Sequence, residues 1–463
     1  MKELREKQST FDLSLLLTVF ALAGPAMIEM AMGTAVQYID TAMVGSLSTE
    51  ATAAVGSTST VGWLVNGTVS AFGVGFLAYI AQRLGAGEKE KARKAAGQSV
   101  LAGLVLGLLF TAIPLALSRQ VPAWMQVDPA IRATAARYFF ILYLPMLFRS
   151  ASTIFGTVLR AAGDTKTPMR VGIGVNLINV VLNFLLIYEQ RSISVFGLRV
   201  PMWGAGWGVI GAAVASAVSF VFGGLALTLM FFRHPVISPR GQSLRPDWEL
   251  LRPCLRVSFP NMLQRFGTSL GYVAFAAMIN ALGPVSAAAH IIANTVESAF
   301  YIPGFGMMQA AATLTGNAIG ARDLPRQKKL AGTIVFLEVA LMLVSGALLF
   351  AFAPPLVGLF SKDPAVIALG VTVLRMVACS EPIYGVSIAQ EGMLQGAGKT
   401  KIPFVINMTG MWGVRILGTW ICTVLLRLGL EAAWGCMIGH NVLLFLLFSL
   451  YYLRGNWNPL KQA

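Results

Sequence analysis

Twelve long apolar runs follow one another along this 463-residue chain. A helix needs ~20 predominantly apolar residues to cross a bilayer. Inside lipid, every backbone amide needs a partner within the protein, so such runs fold as helices. The sequence therefore predicts an all-α polytopic membrane protein with spans at residues 13–43, 51–80, 97–117, 131–159, 171–188, 204–232, 254–282, 286–318, 331–353, 365–394, 403–426 and 433–453.

Composition supports a lipid environment. The chain is 56% hydrophobic and 12% charged, whereas a soluble domain carries roughly 25% charged residues. Its formal charge of +15 could suggest nucleic acid, but that function requires basic residues gathered on one face. Here they lie in short clusters between apolar runs, which is typical of membrane topology. We therefore expect a lipid bilayer, and no nucleic acid, as a partner.

The distribution of basic residues predicts the orientation. If the N-terminus lies in the cytoplasm, the inner segments hold 23 of the 35 Lys and Arg residues and the outer loops hold five. Basic residues are retained on the cytoplasmic side. We therefore expect a multi-pass protein of the cell inner membrane with both termini in the cytoplasm. The first apolar run is interpreted as a retained helix because no small-residue cleavage site follows it. The inner segments are 1–12, 83–94, 160–170, 233–252, 322–329, 399–401 and 454–463.

An internal repeat divides the chain into two six-helix units. Four pairs of landmarks share one offset of 235 residues, which chance similarity does not readily produce. Six is an even number, so both copies enter the membrane from the same side, and the halves are parallel repeats with a cavity between them. A Pro-rich loop separates them, which predicts an N-lobe at 1–235, a linker at 236–252 and a C-lobe at 253–463. The pairs are Pro25/Pro260, Gly85/Gly320, Gly163/Gly398 and Pro168/Pro403.

Asp40 is the strongest candidate for a coupling site. A charge inside the bilayer costs at least ~2.5–3.5 kcal/mol, which makes each such residue a functional candidate. In an apolar cavity a carboxyl group favours its protonated form, because the charged form loses hydration. Asp40 could therefore carry protons, while an anchoring role at the outer end of the first span remains open. Pro25, fifteen residues earlier, removes a backbone hydrogen bond and predicts a hinge. The counterpart of Asp40 at offset 235 is Phe275, so the first copy alone is predicted to hold the coupling site.

Two further groups of polar residues lie in predicted spans. Asn176, Asn179 and Asn183 share one face of the fifth span, where they could line an N-lobe cavity or bond to neighbouring helices. Arg265 on the seventh span and Glu297 on the eighth are expected either to pair structurally within the C-lobe or to form a cation site.

Several kinds of site are not expected. The four cysteines and three histidines have no ligand spacing, so we expect neither a metal site nor a cofactor. There is no nucleophile–base set, no zinc motif and no phosphate-binding loop, which disfavours an enzyme and an ATP-driven pump. Transport would then be driven by an ion gradient.

Four strings match a known family. "IDTAMVG" on the first span, "LRAAGDTKTP" after the fourth, "ESAFYIPGFGMMQAAATLTGNAIGA" on the eighth and "LQGAGKTKIP" after the tenth resemble the multidrug and toxic compound extrusion (MATE) family, with the DinF-type branch the most similar. The resemblance implies a V-shaped pair of bundles. It also implies an antiporter for cationic or amphipathic drug-like compounds, in which protonation of Asp40 bends the first helix near Pro25.

At two positions this chain differs from the family's branches in a way that bears on the coupling ion. Many DinF-type members carry an acid where this chain has Asn183, and the NorM-type branch carries an acid where we find Tyr384. A hard cation prefers carboxylate oxygens, so a proton is favoured over Na⁺. The alternatives are a Na⁺-coupled exporter and a flippase for lipid-linked precursors, the latter using a cationic cavity. We expect the protein to act as a monomer.

Overall fold

The computed structural model describes residues 13–125, 127–195, 198–455 and 457–461. All twelve predicted spans are helical. The helices of the first half are α1 (Leu13–Gly45), α2 (Thr49–Gly85), α3 (Lys89–Ala116), α4a (Pro129–Tyr143), α4b (Met146–Ala161), α5 (Lys166–Leu186) and α6 (Gly208–Phe232). Those of the second half are α7 (Trp248–Asn280), α8 (Pro284–Gly320), α9 (Leu324–Phe360), α10a (Pro364–Ala378), α10b (Glu381–Gly396), α11 (Lys401–Leu425) and α12 (Leu430–Arg454).

The helices differ in how apolar they are. Within the described residues, eight helices are long and apolar enough to cross a membrane, and ten spans qualify if each bent pair counts as one. The other two, α7 and α8, are 33 and 37 residues long but less apolar. Helix α7 packs against α2 of the first half, and α8 packs against both α1 and α2. Their polarity therefore fits helices that meet protein rather than lipid along part of their surface.

The fourth span of each half is broken at equivalent positions, which the sequence did not reveal. The axes of α4a and α4b differ by 47°, and those of α10a and α10b by 53°. Each half begins this span in the same way, because Asp128 accepts a hydrogen bond from the Ala130 amide and Asp363 accepts one from the Ala365 amide, both at 2.8 Å. The repeat therefore extends to the irregularities of the helices.

Two local features depart from a purely α-helical protein. An antiparallel hairpin, β1 (Glu189–Val195) and β2 (Leu198–Ala205), joins α5 to α6. Helix α11 contains π-helical turns at Thr409–Ile416 and Ile421–Leu425. A π-helical turn accommodates extra residues within a helix.

The predicted inner loops meet at one end of the bundle, as the alternation of spans requires. Gln98 Nε2 on α3 donates to the carbonyls of Ser243 (3.3 Å) and Arg245 (2.8 Å) in the predicted linker. Gln82 Nε2 on α2 donates to the Gly396 carbonyl at 2.8 Å, beside the 399–401 loop. Residues 1–12, which the basic-residue count also used, lie outside the described residues.

A reciprocal contact between α2 and α8 shows that the repeats are parallel. A Cβ atom on Gly85 would lie 2.1 Å from the Asn317 carbonyl oxygen, and one on Gly320 would lie 1.9 Å from the Gln82 carbonyl oxygen. Gln82 and Asn317 are themselves related by the 235-residue offset. Equivalent residues can contact each other in this way only beside a twofold axis, so a pseudo-twofold axis passes between these helix ends.

Gly320→Ala should destabilise this contact between the halves. The added methyl group would meet backbone, which cannot rotate away, and overpacking of this kind typically costs about 1–3 kcal/mol. A lower midpoint of thermal unfolding in detergent would report the effect. Gly332→Ala on α9 is the matched control, because its added Cβ meets nothing within 4 Å and alanine favours a helix by about 0.5–1 kcal/mol. Equal midpoints for the two variants would contradict the prediction.

The duplicated Gly-x-Thr loop has the same structural role in both halves. Gly163 and Gly398 end their helices with φ of +84° and +73°, a left-handed conformation that glycine adopts without strain. Two residues later, the Thr165 hydroxyl donates to the Ala21 carbonyl on α1 at 3.3 Å, and the Thr400 hydroxyl donates to the Val257 carbonyl on α7 at 2.8 Å. Each loop therefore ties the end of a fourth span to the first helix of its own half.

Candidate functional site

Asp40 lies in a polar cluster between α1, α5 and α6. Its carboxyl group is half-buried, five residues before α1 ends. Asn183 Nδ2 on α5 donates to Asp40 Oδ1 at 2.6 Å and to Asn179 Oδ1 at 3.2 Å. Asn179 in turn donates to the Ser216 hydroxyl on α6 at 3.1 Å. The structure thus brings Asp40, Asn179 and Asn183 together, and adds Ser216, which the sequence did not single out.

The Asn179 amide lies beside the Asp40 carboxyl group. A half-turn of this amide would place its nitrogen 2.9 Å and 3.1 Å from the two Asp40 oxygens and leave its oxygen to accept from Ser216. An amide nitrogen in that place donates to a carboxylate, whereas an amide oxygen there can accept from a protonated carboxyl group. The two ends of the amide are alike in shape, so the hydrogen-bond partners decide which atom faces Asp40.

An apolar layer covers the cluster toward the ends of its helices. Met43 and Val44 on α1 follow Asp40 by one turn, and Ile187 follows Asn183 by one turn. These residues are buried together with Tyr138 of α4a and Val209 of α6. The carboxyl group is therefore separated from that end of the protein by packed side chains, an environment in which charge is costly.

Asn176 does not join the cluster. It lies one turn before Asn179 on the same helix and is half-buried. Among the described residues it makes no hydrogen bond to Asp40, Asn179 or Asn183. Two of the three asparagines that were predicted to line one cavity therefore lie at Asp40. A role for Asn176 in that cavity stays a prediction.

Pro25 lies within α1, as predicted for a hinge. Proline has no amide hydrogen, so the carbonyl four residues earlier, that of Ala21, loses its helical donor. The Thr165 hydroxyl donates to this carbonyl at 3.3 Å. The loop after α4b thus satisfies the backbone group that the proline leaves unpaired.

A partly buried ion pair lies on the other side of the proline. Arg160 Nη2 at the end of α4b donates to both carboxylate oxygens of Glu29, at 2.8 Å and 2.7 Å. The side chains are 11% and 25% exposed. From the sequence Glu29 had no obvious partner, because Arg160 is 131 residues away. Together, Thr165 and Arg160 hold α1 on both sides of Pro25.

The expected pairing of Arg265 with Glu297 is not formed. Within the described residues there is no ion pair between them, and the Arg265 guanidinium lies over the Phe305 ring at 5.5 Å. Glu297 instead lines a small cavity of about 20 Å³ together with Arg415 of α11 and His440 of α12. The pairing prediction was wrong because the helical register places a different arginine opposite Glu297.

Other acids of the second half are also buried. Glu338 is fully buried, and neither of its carboxyl oxygens has a hydrogen-bond partner among the described residues. Glu381 is 2% exposed. Glu391 accepts hydrogen bonds from Gln264 at 2.7 Å and from Gln395 and Asn407 at 3.2 Å. The described residues contain no group of three or more His, Cys, Asp or Glu side chains that could hold a metal ion.

Comparison with known proteins connects this architecture to a family. The family model MatE matches twice, at residues 25–185 and 260–421. The two matches begin 235 residues apart, which is the offset of the internal repeat. The "probable multidrug resistance protein NorM" of Thermotoga maritima is 28% identical over 94% of this chain and 92% of its own length. The "multidrug resistance protein PmpM" of Pseudomonas aeruginosa is 26% identical over 86% of this chain and 81% of its own length.

Solved structures show the same fold. A MOP superfamily transporter from Pyrococcus furiosus has a TM-score of 0.88 with 23% identity, and the match covers 97% of both chains. A multidrug resistance MATE family transporter in an outward-facing conformation has a TM-score of 0.86 with 22% identity, again over 97% of both chains. With its two MatE matches and its twelve helices in two lobes, the chain belongs to the MATE family and is a membrane transporter, not an enzyme.

Proposed function

We propose that this transporter is a secondary antiporter that exports cationic or amphipathic compounds in exchange for protons, with Asp40 as the protonation site. The names of the relatives from Thermotoga maritima and Pseudomonas aeruginosa, both multidrug resistance proteins, support drug-like substrates. The absence of a phosphate-binding motif in the sequence favours an ion gradient as the energy source.

The two amides beside Asp40 carry the proposal of proton coupling. A coupling site must be stable in both the charged and the neutral state. Asn183 donates to Asp40 Oδ1, which suits an ionised carboxyl group, and the Asn179 amide can present either a donor or an acceptor to Asp40. Both charge states of Asp40 therefore have hydrogen-bond partners in the cluster.

The donor set favours a proton over Na⁺. In the described residues Asp40 supplies the one carboxylate of the cluster, and its other members are two amides and a hydroxyl group. A hard cation prefers several oxygen ligands, carboxylates among them. Tyr384 on α10b, where the NorM-type branch carries an acid, supports placement in the DinF-type branch, from which Asn183 departs.

The flippase alternative requires several arginines around one cavity. The guanidinium groups of Arg149, Arg265 and Arg375 lie over the rings of Phe220, Phe305 and Phe350, at 4.1 Å, 5.5 Å and 5.2 Å. Arg415 lies over Tyr272 and Phe275. Four cations over separate aromatic groups do not form the cluster that a pyrophosphate needs, which favours the exporter.

We also infer the setting of the transporter. Its basic loops favour the cell inner membrane with both termini in the cytoplasm. We propose that the two lobes divide at the 236–252 linker and that one chain suffices for transport, because each chain holds both halves and the Asp40 cluster.

Efflux under separate ion gradients tests this function. We expect proteoliposomes containing the purified protein to move a fluorescent lipophilic cation when a pH gradient is imposed. A Na⁺ gradient at equal pH should have no effect above that seen in protein-free liposomes. Transport that follows the Na⁺ gradient and ignores the pH gradient would refute proton coupling, and transport of a lipid-linked pyrophosphate alone would favour the flippase.

A further inference from the structure

The two halves differ in the helix that contributes amides to the Asp40 cluster. Helix α5 is α-helical throughout, whereas its counterpart α11 contains π-helical turns, the first at Thr409–Ile416. A π-helical turn holds one extra residue, so the offset of 235 that relates Pro168 to Pro403 becomes 236 within this turn. The two MatE matches, which begin 235 residues apart, also end 236 apart. At the offset of 236, the counterparts of Asn179 and Asn183 are Arg415 and Thr419.

Burial supports this alignment. Asn179 and Asn183 are 6% and 1% exposed, and Arg415 and Thr419 are 4% and 0% exposed. An offset of 235 would instead pair the two asparagines with Val414 and Gly418, which are only half-buried. The π-helical turns thus direct Arg415 into the interior of the second half.

The contact made by Arg415 is the counterpart of the contact between Asp40 and the amides. Its guanidinium lies 4.3 Å from the ring centre of Phe275, which corresponds to Asp40, and 4.8 Å from that of Tyr272. Where the first half places an acid beside amides, the second half places a cation beside aromatic rings.

A buried guanidinium in a membrane protein needs compensation. Desolvated cation–π contacts stabilise it, and Glu297, an acid, lines the same cavity. That cavity, of about 20 Å³, has room for about one water molecule and is too small for a drug-sized ligand. The titratable groups around Arg415 are Tyr272 on α7, His290, Glu297 and Tyr301 on α8, Tyr384 and Glu381 on α10b, and His440 on α12.

We propose that Arg415 is a built-in cation that permanently occupies the second-half counterpart of the Asp40 site, with Glu297 as its ionised counter-charge. Arg415 does not lose its proton in proteins, so this site cannot alternate between charged and neutral states. The inference rests on the proposed role of Asp40, and it explains how a symmetric fold confines coupling to one half.

Infrared spectroscopy of the purified, substrate-free protein tests the charge of Glu297. The spectrum of the wild type minus that of Glu297→Gln should show an ionised carboxylate near neutral pH. In Arg415→Met the counter-charge is lost, and a buried unpaired carboxylate neutralises. The spectrum of Arg415→Met minus that of Arg415→Met/Glu297→Gln should therefore show the carbonyl band of one protonated carboxylic acid.

Two further variants complete the design. Arg415→Lys keeps a cation, so Glu297 should stay ionised. Arg375→Met removes an exposed guanidinium that lies over Phe350 and should leave the Glu297 signal unchanged. A protonated Glu297 in the wild type, or an ionised one in Arg415→Met, would overturn the proposal. The wild-type measurement tests the charge of Glu297 even if Arg415→Met does not fold. No substrate or gradient is present, so the result is independent of whether Asp40 couples transport.

Discussion

Asp40→Asn should abolish proton-driven efflux, reducing it to the leak rate of protein-free liposomes. Asparagine has nearly the same shape as aspartic acid and can keep the hydrogen bond with Asn183, but it cannot bind and release a proton. The variant should therefore insert, fold and bind substrate, since only the exchange of protons is lost. Transport in proteoliposomes under an imposed pH gradient measures the effect, and thermal unfolding in detergent verifies the fold.

Glu338→Gln is the matched control for this experiment. It makes the same carboxyl-to-amide change at a fully buried acid of the second half, whose oxygens have no hydrogen-bond partner among the described residues. Efflux should persist in this variant. If Asp40→Asn pumps normally while the pH gradient is maintained, Asp40 has only an anchoring role at the end of α1.

Arg160→Met should produce a large loss of stability. It leaves the Glu29 carboxylate unpaired beside Pro25, and removing one partner of a fully buried ion pair costs about 3–5 kcal/mol. Because the Glu29 and Arg160 side chains are 25% and 11% exposed, we expect about 3 kcal/mol, the lower end of that range. The midpoint of thermal unfolding in detergent should fall accordingly.

A double-mutant cycle separates the pair from other effects of the substitution. Glu29→Gln/Arg160→Met removes both charges and should recover most of the stability, because no buried charge then lacks a partner. Lys91→Met is the surface control: it breaks a pair with Glu88 in which the side chains are 56% and 34% exposed, so the midpoint of thermal unfolding should hardly change. If the double variant is as unstable as Arg160→Met alone, packing of the arginine stem rather than the charge pair holds the hinge.

The coarse architecture could be predicted because each span carries its own signal. Length and apolarity identify a transmembrane helix without knowledge of its neighbours, and the family model confirms the repeat by matching twice at the predicted offset. The breaks at α4a/α4b and α10a/α10b were missed because both halves of each broken span are apolar. The hairpin at Glu189–Ala205 was missed because length and apolarity identify only spans, and most of its residues lie between two of them.

The candidate site was predictable only in part. Asp40 stood out because an acid in an apolar run is costly, and Asn179 and Asn183 because amides one turn apart share a face. Ser216 gave no signal, since serine is common in apolar helices. Arg265 and Glu297 were paired on proximity of spans, but the side-chain partners depend on the rotation of each helix.

The sequence by itself determined that this chain is a duplicated helical membrane protein, and that the first copy alone has an acid at the position of Asp40. Composition is a local property of each span, and the internal repeat recurs at a fixed distance along the chain. Both can therefore be recognised without knowledge of the fold. The tertiary structure decided which side chains come together: Glu29 pairs with Arg160 across 131 residues, and Glu297 lines one cavity with Arg415, which lies in a π-helical turn. One residue added to a helix rotates every later side chain by about 100°, and only the packed structure shows where the extra residue is absorbed.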